Sequence, residues 1–243
     1  MRHPNIVEFS VVGDYALFSD PITRVGGEKC TYQIPTYEAL KGILSSVYWK
    51  PTIVWYIDKV RVMNPIRMEV KGIRTIKYND GSGVDRSYYT YLKDCRYQVS
   101  AHFEWNENRP ELIGDRNENK HHEIAKRMIE KGGRRDIFLG TRECQGYVEP
   151  CIFGEGEGAY DETSLISFGH MYHGITYPDE AFSDETKGKM TLNFWYPEMR
   201  NGIIIFPKPQ DCPNHKPLHE MKMKIFADNS GNFTGLREFG EVH

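Results

Sequence analysis

The chain has 243 residues and a mass of 28.3 kDa, with 39% hydrophobic, 27% charged and 13% aromatic residues; this supports one large domain or two small ones and excludes an intrinsically disordered chain. A net charge of −3 excludes a protein whose whole surface coats nucleic acid, but not a local basic face. No apolar run reaches the roughly 18 residues of a membrane span, the N-terminal stretch with Glu8 and Asp14 has no signal-peptide core, and Cys30, Cys95, Cys144, Cys151 and Cys212 are too scattered for a C-x-x-C site, so reduced thiols in a cytoplasm are the expectation.

Val7, Phe9 and Val11 alternate with polar or smaller residues and predict a first strand. Thr36 is the expected N-cap of a helix whose apolar stripe is Ala39, Leu40, Ile43, Leu44 and Val47, ended by Lys50 before Pro51. Residues 52–63 read as a buried strand, and 64–94 as an insertion with a turn at Asn79-Asp80-Gly81. Tyr97, Val99, Ala101, Phe103 and Trp105 share one face of the cleanest strand, with Gln98, Ser100, His102 and Glu104 on the other. A second helix is expected from about Lys120 to Lys131, capped by Asn117 or Asn119 and closed by Gly132-Gly133, with Ile124, Ala125, Met128 and Ile129 as its apolar stripe. A strand over 146–153 completes a β-α-β-β-α-β order, the split βαβ or ferredoxin-like arrangement that RNA-recognition domains also use. Domains are therefore expected at 1–153 and 154–243: an α+β, ferredoxin-like N-terminal domain and a small antiparallel β-rich C-terminal domain. In the latter, 190–196 and 202–206 flank an Asn201-Gly202 hairpin turn, and the polar tail after Pro207 is expected to be partly disordered.

Charge is unevenly spread. Arg116 to Arg142 carries eight basic residues against four acids, whereas 143–186 has ten acids and neither lysine nor arginine. Asn119-Lys120-His121-His122 sits in the first turn of the second helix, where unpaired N–H groups and the helix dipole attract phosphate. Lys120 adds a charge there, and one histidine a group that titrates near neutral pH. From these residues alone an exposed charged helix start is the simpler reading. Tyr48, next to the apolar stripe of the first helix, reads by spacing as a half-buried tyrosine with a wet hydroxyl. Gly132-Gly133-Arg134-Arg135-Asp136 suits either phosphate or a capped helix end with an internal ion pair. His170-x-x-His173 has metal-ligand types but no accompanying carboxylate or thiol at suitable spacing.

Three stretches carry more. Residues 13–52 (GDYALFSDPITRVGGEKCTYQIPTYEALKGILSSVYWKPT), 101–110 with 115–154 (AHFEWNENRP and DRNENKHHEIAKRMIEKGGRRDIFLGTRECQGYVEPCIFG) and 173–180 (HGITYPDE) resemble the Cas five-d family, type I-C (Dvulg subtype) CRISPR-associated subunits of the RAMP superfamily. The resemblance runs from about residue 6 to residue 213. It implies a ferredoxin-like domain followed by a β-rich one, and an endoribonuclease that cuts CRISPR repeat RNA at the base of its hairpin without metal or other cofactor. The same protein would then stay with its crRNA among the other type I-C interference-complex subunits. It places the catalytic set at Tyr48, in Y-W-K-P, and at Lys120 and His121, after D-R-N-E; His122 stands where relatives often carry an aromatic. Arg134, Arg135 and Arg142, with Lys126 and Arg127, would track the RNA backbone. Alternatives are a non-catalytic subunit that holds the crRNA 5′ handle, a double-stranded DNA-binding subunit, and a metal-dependent nuclease built on His170 and His173. No membrane partner is expected.

Overall fold

The computed structural model describes residues 3–76 and 84–223. In its first part, β1 (Val7–Ala16), α1 (Tyr37–Val47), β2 (Ile53–Val62), β3 (Arg67–Ile76), β4 (Val84–Trp105), α2 (Glu118–Glu130), β5 (Ile137–Phe138) and β6 (Gln145–Pro150) follow one another. Strands β6, β1, β4 and β2 lie side by side in that order, each antiparallel to its neighbour. This is the ferredoxin-like order expected from the sequence, and the protein is α+β with mostly antiparallel sheets. Period-2 alternation puts Phe9, Val11, Trp55, Ile57, Val99, Ala101 and Phe103 on one buried face. Leu40, Leu44 and Val47 of α1 and Ala125 and Ile129 of α2 cover it.

Across the expected insertion at 64–94 the chain runs as two paired strands. β3 pairs with the first half of β4, so the strand anticipated at 97–105 is the end of a 22-residue strand. Asp94, at φ 53°, bends β4 without ending it, since aspartate tolerates the left-handed region. The Asn79-Asp80-Gly81 turn lies outside the described residues.

The remaining strands are β7 (Ile166–Ser167), β8 (Met171–Thr176), β9 (Lys189–Trp195), β10 (Glu198–Arg200), β11 (Ile203–Ile205) and β12 (Asn214–Glu220). β11 pairs with β2 and extends the main sheet through β10 to β7, whereas β12, β9 and β8 make a second sheet. Asn201 and Gly202, at φ 49° and 75°, do form a turn. It joins β10 to β11, however, and not 190–196 to 202–206 as expected. Pro197 has no N–H to continue β9, and the chain changes sheets there. In the polar tail, 214–220 forms an exposed edge strand, and residues 224–243 lie outside the described part. The outer side of α1 docks on this region. Tyr37 stacks on His173 at 4.2 Å, Glu38 accepts the Ile175 N–H at 2.9 Å, and buried Lys41 pairs with Glu180. All five cysteines are free thiols. Among the described residues no helix is long and apolar enough to cross a membrane.

Candidate active site

Two helix ends meet beneath the sheet. Thr36 caps α1 by accepting the Ala39 N–H at 3.2 Å, and the helix stops at Val47, where Tyr48 turns extended at φ −154° and ψ 125°. The Tyr48 N–H closes the last turn onto Leu44, and its carbonyl accepts the Trp55 indole N–H at 2.8 Å, which fixes the residue against β2. α2 starts at Asn117, whose side chain accepts the Lys120 N–H at 3.0 Å. That cap places Lys120 and His121 in the first turn. His121 lies four and eight residues before Ala125 and Ile129, on the same buried stripe.

His121 is accordingly 0% exposed, with the edges of Phe103 and Trp105 against its ring at 6.2 and 5.8 Å. Its Nε2 lies 2.8 Å from the Asp115 carbonyl oxygen, which can only accept, so the proton is assigned to Nε2. The lone pair is then on Nδ1, and the Tyr48 hydroxyl donates to it at 2.7 Å. The Asp115 carboxylate accepts from Lys120 Nζ at 2.6 Å and from the Thr52 hydroxyl at 2.9 Å, and stands 3.5 Å from His121 Nε2. Burial raises the Asp115 pKa, but the Lys120 and Thr52 hydrogen bonds and the nearby His121 outweigh it and hold the carboxyl below its ordinary value. Burial, then the Asp115 charge, push the Tyr48 hydroxyl up to about 12, against a lowering by Arg134. Tyr48 therefore keeps its proton at neutral pH; at 4% exposed and with its hydroxyl bonded to His121, it is buried and not half-buried with a wet hydroxyl as its spacing suggested.

Tyr48, Lys120 and His121 thus meet, with Asp115 linking the last two. His122 does not join them: it is half-buried and bonds the Ile6 carbonyl at 2.9 Å. Arg134 acts electrostatically on Tyr48 from the loop after α2. That loop reverses at Gly132 and Gly133, φ 78° and 108°, and the Arg135 N–H ties it to Ser46 of α1 at 3.1 Å. Both arginines are exposed. Lys126 and Arg127 lie on the solvent side of α2, bonded to Glu123, and Lys126 lines a separate cavity with His3 and Pro150. Arg142 is exposed in the β5–β6 turn. His170 and His173 stay apart chemically: His170 stacks on Phe194, while His173 is buried with Nε2 3.1 Å from the Pro207 carbonyl. The sequence pattern did not single out Asp115, Thr52 or Trp55. Asp115 alone left a trace, as an acid just before the Asn117 cap.

The profile of the CRISPR-associated protein family Cas_Cas5d (Cas_Cas5) matches residues 6–207. A Mannheimia succiniciproducens protein named CRISPR pre-crRNA endoribonuclease Cas5d is 31% identical over 84% of this chain and 95% of its own length. A Thermus thermophilus protein of the same name is 28% identical over 83% and 91%. Among solved structures, a CRISPR-associated protein superimposes with TM-score 0.72 at 34% identity, over 87% of this chain and 96% of that one. A Streptococcus mutans protein described as functionally uncharacterized gives 0.71 at 37%, with the same coverage. On the family match and these relatives, the chain belongs to the Cas5d family of CRISPR-associated proteins.

Proposed function

We propose that this protein is a metal-independent endoribonuclease that cuts CRISPR repeat RNA and keeps the mature crRNA within the type I-C interference complex. The observation that carries the reading is the hydrogen bond from the Tyr48 hydroxyl to His121 Nδ1 at 2.7 Å, with Lys120 alongside at the start of α2. The endoribonuclease names of the relatives point the same way.

In the scheme, the RNA backbone lies against Tyr48 and Lys120, and the ribose 2′-hydroxyl loses its proton to the Tyr48 oxygen. The tyrosine's own proton passes to His121 Nδ1. The imidazolium so formed is balanced by the Asp115 carboxylate, which already stands 3.5 Å from Nε2. The 2′-oxygen forms a bond to phosphorus, and the bond to the 5′-oxygen breaks. The departing oxygen takes a proton from the Lys120 ammonium, which also stabilises the phosphorane together with the helix N-terminus. The imidazolium proton then returns to Tyr48, whose own proton leaves to solvent with the product, and Lys120 takes a proton back from solvent. The product ends are a 2′,3′-cyclic phosphate and a 5′-hydroxyl. His121 is fully buried and acts through Tyr48, which is itself only 4% exposed, so repeat binding has to uncover the Tyr48 hydroxyl.

The test is cleavage of the host's CRISPR repeat RNA in excess EDTA, beside a repeat with a 2′-deoxy nucleotide 5′ of the cut. Wild-type protein is expected to cut only the first. Tyr48→Phe and His121→Ala are expected to lose at least about 100-fold in rate while binding the repeat within a few-fold of wild type. Cutting of the deoxy substrate, or wild-type rates in either variant, overturns the scheme. Tight binding without cutting marks a subunit that only holds the 5′ handle. Equal affinity for double-stranded DNA at matched salt marks a further DNA-binding role.

A further inference from the structure

On the sheet face opposite His121, a second histidine is fixed in a way the RNA site does not use. His102 of β4 is 1% exposed, between the rings of Tyr56, its cross-strand partner at 5.5 Å, and His3 at 3.7 Å. Its Nδ1 lies 2.8 Å from an Asp58 carboxylate oxygen. Asp58 is the extra residue of a β-bulge between Ile57 and Lys59, the device that turns its side chain toward the histidine. With Nδ1 engaged by Asp58, Nε2 is the ring nitrogen left to face the other side of the pocket. That atom is buried and has no hydrogen-bond partner. Facing it at 3.5 Å is a carboxylate oxygen of Glu104. A ring nitrogen and a carboxylate oxygen so placed call for a positive charge between them, a proton or a metal ion, beyond the Lys208 ammonium that already lies 2.6 Å from the same oxygen.

We propose that His3, His102 and Glu104 form a zinc site. One ligand atom from each lies within 4.8 Å of the other two. Tetrahedral zinc with bonds of about 2.05 Å sets its ligands roughly 3.3 Å apart, close to the His102–Glu104 separation. Two imidazoles and a carboxylate suit zinc better than a hard cation. A carboxylate on the far nitrogen, here Asp58, is the usual outer partner of a zinc-bound histidine. The His3 ring, stacked within 8° of parallel, turns about its side-chain torsions to bring a nitrogen to the metal. Lys208, 2.6 Å from Glu104, is the competing cation and swings aside. The site's role is structural. It ties the N-terminal segment to β4, and from there Asn5 bonds both the Phe103 carbonyl and Glu118, the first residue of α2.

The experiment uses tag-free protein stripped with a chelator, with zinc chloride added back and followed by calorimetry and thermal unfolding. One zinc per chain and a raised Tm are expected. His3→Ala and Glu104→Gln, each checked for native circular dichroism and zinc-free Tm, should weaken binding by about tenfold or more. Lys208→Met should tighten it by removing the competing charge. Substoichiometric binding in wild-type protein, or wild-type affinity in both His3→Ala and Glu104→Gln, overturns the proposal and leaves a proton on His102 as the neutralising charge.

Discussion

Two buried histidines show how little a residue type says before its partners are known. His121 packs within an apolar stripe and still has both nitrogens engaged, one by Tyr48 and one by the Asp115 carbonyl. The sequence placed it at a helix start, which is right, but not its depth. Its spacing of four from Ala125 carried that information, overshadowed by the charged neighbours. His173 is the opposite case. Burial drives its pKa from 6.5 down to about 3, so it stays neutral in the folded protein. The unfolded chain binds a proton below about pH 6.5 that the native state refuses, so this contribution is whole above that pH and is lost as pH falls toward 3. Between pH 7 and pH 5 the loss is about 2 kcal/mol. Urea unfolding at the two pH values should show a steeper fall for wild type than for His173→Gln; equal slopes would mean that His173 accepts its proton in place.

At the scale of elements, the caps were the most legible features. Thr36 and Asn117 start their helices as expected, because a side-chain oxygen three residues before an unpaired N–H is a local matter. Which elements meet was not local, and Asp115 entered the site only because the turn before α2 folds back beside Thr52. The sequence of the loop after α2 suits phosphate binding and self-satisfaction equally. Its two exposed arginines and its tie to Ser46, next to the end of α1, favour the first. Changing Arg134 and Arg135 together to Ala should weaken repeat binding for any sequence. It should also lower the slope of log K against log salt by about 1.5, near 0.7 for each single-strand phosphate that is no longer neutralised. Filter binding across a salt series measures this, and an unchanged slope would place the RNA elsewhere.

For the molecule as a whole, the βαββαβ order was readable because each strand carried its own period. The second sheet and the pairing of β11 with β2 were not, since long-range register leaves no trace in a short apolar run such as Ile203–Ile205. What joins α1 to the second sheet is partly ionic. Lys41 is buried, and the Glu180 and Glu38 charges overcome its burial and keep it protonated. Glu180→Ala should cost about 3 kcal/mol in urea unfolding by leaving that charge poorly compensated, and Lys41→Met with Glu180→Leu should recover most of it. A cost below about 1 kcal/mol for the single change would make the pair incidental. The β2–β11 pairing also sets a timetable for synthesis. About 140 residues separate the two strands, and at about 5–20 residues per second the ribosome takes roughly 7–28 s to deliver the second after the first. Through that interval one edge of β2 is an open template, and the nascent chain depends on a chaperone or on its own charged side chains, Lys59 and Arg61 among them, to keep other strands away.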